Sequence, residues 1–335
     1  MRCVCRAGRA CGADDRSREL ELWQDGVVPE GRISSGTLCV ESDGTVIALQ
    51  HAGGRRHLEI KAMTAYRGKE RHGRKSLRLD PVSFGCAGTP DEPWRQGIAA
   101  VGSVYRLDAV EEVRSGFDGA SWCSGGLGWL RAIGCDAVGH MDPFHVNRAV
   151  SACFGREHEE ERLQAMRLIY GGDAEGCAGL LERMAGEGTA KADIAPGVIR
   201  YLRSHADRIG VPGPSLGTME SENQHVYKSR MAGVPCAWSM QGAPDMARIR
   251  SRQASGRPIP HLSRDERRGP KRLERRKRKE IAAYSGGPAT GDALAFEGRG
   301  YEYPVRGSVE MLGAEVRFRS EGWLGIPEAC LPTKD

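Results

Sequence analysis

A β-branched apolar run at Leu38–Gln50, LCVESDGTVIALQ, carries an Asp-Gly pair at its middle. Runs of this composition read as a buried strand. A carboxylate held inside a sheet costs several kcal/mol unless it is paired or meets a cation. Asp43-Gly44 has a second reading as the turn of a hairpin, because Asp-Gly is a strong turn dipeptide. On this stretch alone the turn is favoured. The acids further along the chain shift the balance.

The chain after this run alternates strand and helix signals. His57–Tyr66 (HLEIKAMTAY) alternates apolar and polar residues as a half-buried partner strand does. Gly68–Gly88 reads as a charged loop with a short strand near Val82, and Glu92–Leu107 has helical spacing. Val110–Phe117 reads as a third strand that runs into Asp118-Gly119-Ala120-Ser121-Trp122. Trp122–Ile133 then reads as a helix and Asp136–Met141 as a strand. Asp142-Pro143-Phe144-His145 opens another helix, with Asp142 as N-cap and Pro143 in the first turn. This order implies an α/β fold with crossover connections. Helical spacing broken by Gly and Pro continues from Arg148 to Gly210, an all-α insertion. Thr218 is placed to cap a helix bearing Glu220 and Glu222. Residues 1–37 read as a polar lead-in with a short helical possibility at Arg16–Trp23. Hence the division: lead-in 1–37, first part of the α/β domain 38–147, helical insertion 148–215, remainder of that domain 216–255, basic arm 256–286 and tail 287–335.

Charge is concentrated. Arg264–Lys279 holds ten basic and three acidic residues, so the rest of a chain of net charge +5 sums to −2. The basic side chains Arg248, Arg250, Lys271, Arg272, Arg275, Arg276, Lys277, Arg278 and Lys279 are candidate phosphate contacts, with a solvated charged face as the plain alternative. No run of 18 apolar residues and no signal-peptide core is present, which points to a cytoplasmic protein without a membrane span. Eleven scattered cysteines fit free thiols in a reducing compartment.

Asp43, Asp118 and Glu220 are the candidate metal ligands. Two strand-borne acids and one helix-borne acid can converge on a sheet edge and hold Mg²⁺ (or Mn²⁺), hard cations that take carboxylate oxygen. Each acid also has a structural reading: Asp43 and Asp118 precede Gly, as turn residues do, and Glu220 and Glu222 complement a helix dipole.

The segments ESDGTVIALQ (41–50), EIKAMTAYRGKE (59–70), GFDGASW (116–122), MDPFHVNRAV (141–150), GTMESENQHVYKSRM (217–231) and CAWSMQGAPDMARIRS (236–251) stand in one order. In that order they resemble the bacterial insertion-sequence transposases of the ISLre group, distant relatives of the Mutator-type transposases. The resemblance covers residues 38–255. It implies a ribonuclease-H-like mixed sheet with an all-α insertion and a metal triad formed by Asp43, Asp118 and Glu220. Asp142 and His145 match the Asp-x-x-His signature of the Mutator-type relatives, an active-site neighbour. The implied activity is DNA transposition: strand cleavage at insertion-sequence ends and transfer into target DNA, by a homo-oligomer on DNA. The family's longer N-terminal segment is reduced here to 37 residues, so an inactive, truncated DNA-binding remnant is the alternative expectation.

Overall fold

The computed structural model describes residues 2–261 apart from 51–53, 55, 74, 214–215 and 233–235. It is a mixed α/β structure built on a five-stranded sheet. In chain order the elements are α1 (Arg2–Trp23), β1 (Thr37–Ala48), β2 (His57–Tyr66), β3 (Lys69–His72), β4 (Lys75–Arg78), β5 (Val82–Cys86) and α2 (Glu92–Gly102). They continue through β6 (Glu112–Phe117), α3 (Ser121–Ala132), β7 (Asp136–Met141), α4 (Pro143–Ala152), α5 (Glu159–Tyr170), α6 (Ala174–Gly186) and α7 (Ala195–Ser204). The last described elements are α8 (Met219–Glu222), a π-helical segment Asn223–Lys228, α9 (Ser229–Met231) and α10 (Gly242–Ala254).

The sheet order is β5-β2-β1-β6-β7. β1 pairs with β6 in parallel and β6 with β7 in parallel, whereas β2 and β5 are antiparallel. The sheet is therefore mixed. β1 is its central strand, and Leu38 through Asp43 are all buried, the continuous burial expected of a parallel strand covered on both faces. Asp43-Gly44 lies inside this strand and is not a hairpin turn.

By its packing the chain divides into two compact units. The larger comprises Asp15–Gly44 and Lys61–Asn223. Its core runs through Val40, Met63, Phe84, Trp94, Val113 and Phe117 into the helices after β7, where Leu181 and Leu202 are fully buried. Gly126 on α3 lets the helix meet Trp94: a Cβ there would stand 2.1 Å from the indole ring. Asp142 caps α4, accepting the Phe144 N–H at 2.9 Å, and Pro143 occupies the first turn. Asp173 caps α6 in the same way through the Gly176 N–H.

The other unit comprises the residues up to Asp14, Thr45–Ile60 and the chain from Gln224 onward. Ala7 and Cys11 pack on Ile249 of α10, and Arg252 donates to Asp14 Oδ2 at 2.7 Å. Gly8 approaches the backbone of Asp245 so closely that a Cβ would stand 2.5 Å from the Asp245 Cβ.

Three sequence expectations need correction. The polar lead-in contains the 22-residue helix α1; its buried positions Ala7, Gly8, Cys11, Gly12, Asp15 and Glu19 are small or acidic. Gly68–Gly88 holds a two-stranded hairpin, β3–β4, besides β5, because its alternation is carried by charged residues. Thr218 does not cap its helix through its side chain; the hydroxyl donates to Glu41 instead. The basic arm Arg264–Lys279 and the tail 287–335 lie outside the described residues. No disulfide joins the described cysteines. Among the described residues no helix is long and apolar enough to cross a membrane.

Candidate functional site

Register places three acids side by side. Ser42 on β1 is matched with Phe117 on β6, and Phe117 with Met141 on β7. Asp43, Asp118 and Asp142 each stand one residue beyond this matched row. They share the carboxyl edge of three adjacent parallel strands, where open α/β sheets place their ligands. β6 and β7 end at this row, whereas β1 continues to Ala48, so Asp43 lies within its strand and the other two lie just past theirs.

Each carboxylate is oriented locally. Asp43 Oδ1 accepts the Gly44 N–H at 2.7 Å, and its Oδ2 accepts Asn223 Nδ2 at 2.7 Å. Asp118 Oδ1 accepts the Ala120 N–H at 2.9 Å across a turn in which Gly119 takes φ +98°. Asp142 Oδ2 lies 3.9 Å from His145 Nε2.

Electrostatics ties these groups together. Burial, and then the charge of Asp118, pushes the Asp43 carboxyl up to about 6; Glu220 adds to the rise, while His145 and the Gly44 N–H oppose it. Burial also raises Asp142, with Glu41 and Asp118 adding to it against the Phe144 N–H and His145. Asp43 therefore senses both of the other sequence-predicted ligands and His145. Buried carboxyls raised by acidic neighbours are what a cation would relieve, and the all-oxygen donor set suits Mg²⁺ or Mn²⁺. Among the described residues, however, no group of three or more His, Cys, Asp or Glu side chains stands close enough together to hold an ion. The acids share an edge without forming a finished cage.

The helix after the insertion brings three residues with different fates. Glu220 is exposed. Glu222 is 1 % exposed and pairs with Arg78 at 2.5 Å. Asn223 is fully buried against Asp43. The sequence reading missed Asn223, Arg78 and Glu41. It also missed Tyr201 of α7, whose hydroxyl donates to the Asp118 carbonyl at 3.4 Å. Only Glu41, spaced two residues before Asp43 on one strand face, left a sequence signal.

Two of the nine expected phosphate contacts are described, one buried and one half-buried. Arg248 is buried. Arg250 donates to the carbonyls of Val226 at 2.9 Å and His225 at 3.1 Å, and burial, followed by Arg230, lowers its guanidinium. Lys271, Arg272, Arg275, Arg276, Lys277, Arg278 and Lys279 lie outside the described residues.

Residues 27–268 match the model of Uncharacterised protein family (UPF0236). The chain belongs to this family. The match contains every acid of the cluster as well as the Arg78–Glu222 pair. Three UPF0236 proteins of Caldanaerobacter subterraneus subsp. tengcongensis are similar to it. They are 23% identical over 188 residues, 22% over 191 and 25% over 189, each alignment taking in 54% of this chain. The alignments span 40%, 37% and 39% of those relatives, so the chain matches about two fifths of their length. The name of the third joins eleven designations from the one genome.

Proposed function

We propose that the chain is a DNA transposase of ribonuclease-H-like fold, acting on insertion-sequence ends and target DNA as a homo-oligomer. The observation that carries the reading is the row of Asp43, Asp118 and Asp142 on three adjacent parallel strands, with Glu220 close enough to raise Asp43. A central β1 with β2 and β5 on one side and parallel β6 and β7 on the other is the arrangement such a fold requires, and it supports the assignment. A relative named with eleven designations in one genome supports it too, since a self-copying element leaves repeated genes.

Asp43, Asp118 and Glu220 are the residues that would hold Mg²⁺ or Mn²⁺, which when bound supplies Lewis-acid activation and charge neutralisation for phosphoryl transfer. The chain's own groups do the rest. Asn223 holds Asp43 in one rotamer, the Ala120 N–H orients Asp118, and Asp142 steers His145 toward a DNA phosphate. The reaction is water attack at the phosphorus of the element end with departure of the 3′-oxygen as a hydroxyl; that 3′-hydroxyl then attacks a target phosphodiester, forming the new P–O bond as the target's own 3′-oxygen leaves.

The second reading, an inactive DNA-binding remnant, is favoured by the absence of a formed cage among the described residues. One experiment separates the two. Purified protein is incubated with labelled DNA carrying the sequences that flank its reading frame, with Mn²⁺. The transposase reading expects cleavage by wild type and none by Asp118→Asn or Glu220→Gln, with DNA binding unchanged in all three. Binding without cleavage by wild type supports the remnant, and cleavage that survives both substitutions removes the site assignment.

A further inference from the structure

Four donors converge on one buried carboxylate. Glu41 lies on β1 two residues before Asp43, so both side chains leave the strand on the same face, and it is 2 % exposed. Its Oε2 accepts the backbone N–H groups of Gly217 and Thr218, each at 2.7 Å. Its Oε1 accepts the Thr218 hydroxyl at 2.6 Å and the Tyr66 hydroxyl at 2.5 Å. Gly217 and Thr218 precede α8, and this carboxylate is the hydrogen-bond partner of both their amides. Charge-assisted bonds of this kind are roughly twice as strong as neutral ones. Gly217 takes φ +95°, a conformation that favours glycine, as the chain turns to present these amides.

We infer that Glu41 is a positioning residue that docks the start of the Glu220-bearing helix onto the strand that carries Asp43. A carboxylate has about four lone-pair directions, and here donors fill them, so Glu41 serves as an anchor and not as a metal ligand. Glu220 follows Thr218 by two residues, and its distance from the sheet is set by this contact between segments 176 residues apart. The inference rests on the metal-holding reading of the acid row.

The test compares full-length wild type with Glu41→Gln, a substitution of equal size whose amide nitrogen must face two donors. Hydrogen exchange of residues 216–222 and titration with Mn²⁺ alone are the readouts. Glu41→Gln is expected to exchange at 216–222 at least tenfold faster while β6 and β7 keep their protection. Its Mn²⁺ affinity is expected to fall about 10- to 100-fold, as when a ligand's outer support is removed. Unchanged exchange overturns the inference, and so does faster exchange with wild-type Mn²⁺ affinity. Should Glu41→Gln not fold, Thr218→Val and Tyr66→Phe each remove one hydroxyl donor; a smaller fall in affinity in both supports the role, and wild-type affinity in both overturns it. Wild-type protein that binds no Mn²⁺ overturns the metal-holding reading itself, an outcome distinct from equal binding by wild type and variant.

Discussion

Asn223 Nδ2 donates to Asp43 Oδ2 at 2.7 Å, joining positions 180 residues apart in the chain. Both side chains are buried, and Asn223 Oδ1 has no partner of its own. The amide can satisfy Asp43 without adding charge. Asn223→Asp would set a second carboxylate against the first. At pH 7.5 the variant is expected to lose on the order of 3 kcal/mol of unfolding free energy, much of it recovered at pH 5, where the pair can share a proton. Equal losses at both pH values in urea melts would show that the amide matters for shape and not for charge.

Asp43 itself makes stability depend on pH. Its folded-state carboxyl is raised from the ordinary 3.8 to about 6, so the native state holds this proton more tightly than the unfolded chain does. The contribution is fully present below about pH 4 and is lost as pH rises through 6. With each unit worth 1.36 kcal/mol, the loss is about 3 kcal/mol between pH 4 and pH 7. Asp43→Asn should therefore gain on wild type by about that amount over the same interval. A constant difference between the two proteins across the range would contradict the raised carboxyl.

Arg78 and Glu222 form an ion pair in which the Glu222 side chain is wholly buried and the Arg78 side chain is 22% exposed. Arg78 also donates to Thr64 Oγ1 at 2.9 Å. Arg78→Met strands the carboxylate and is expected to cost about 3 to 5 kcal/mol. Replacing both residues by Met should recover most of that. A double-mutant cycle with no coupling energy would remove the pair from the account.

Gly119 turns the chain between Asp118 and α3 at φ +98°. A Cβ there would meet His205 Nε2, Met141 Cε and Tyr201 Cε2, each at 3.2 Å. Gly119→Ala is expected to cost about 1 to 3 kcal/mol from backbone strain alone, and, on the proposed metal-holding role of Asp118, to displace it enough to weaken Mn²⁺ binding. Thermal melts with and without Mn²⁺ read both effects.

How much of this was legible depended on what carried the pattern. β1, β2, β6 and β7 could be read because apolar periodicity and buried β-branched runs report directly on a covered sheet. Asp43 and Asp118 were readable as acids interrupting or ending apolar runs and Asp142 as a helix cap, though not their shared level, which is a matter of register. The helix α1 was hidden because its inner stripe mixes small apolar residues, Ala7 and Cys11, with acids, Asp15 and Glu19, and no large apolar residue marks the period. The partners Asn223, Arg78 and Tyr201 were hidden for another reason. Each acts across a long separation, and nothing local distinguishes a buried amide or guanidinium from a solvated one. Arg248 shows the reverse case, since a basic residue on a helix reads as surface until the packing is known, and here it is buried.

The return of Asn223 to Asp43 also imposes an order of events during synthesis. β1 leaves the ribosome 180 residues ahead of the amide that satisfies its aspartate. Until that segment emerges, a chain whose sheet has already collapsed holds the buried Asp43 side chain with the Gly44 N–H but without Asn223 to bond its Oδ2. A reading frame interrupted between β7 and α8 would make this condition permanent. Such a fragment has no partner to wait for.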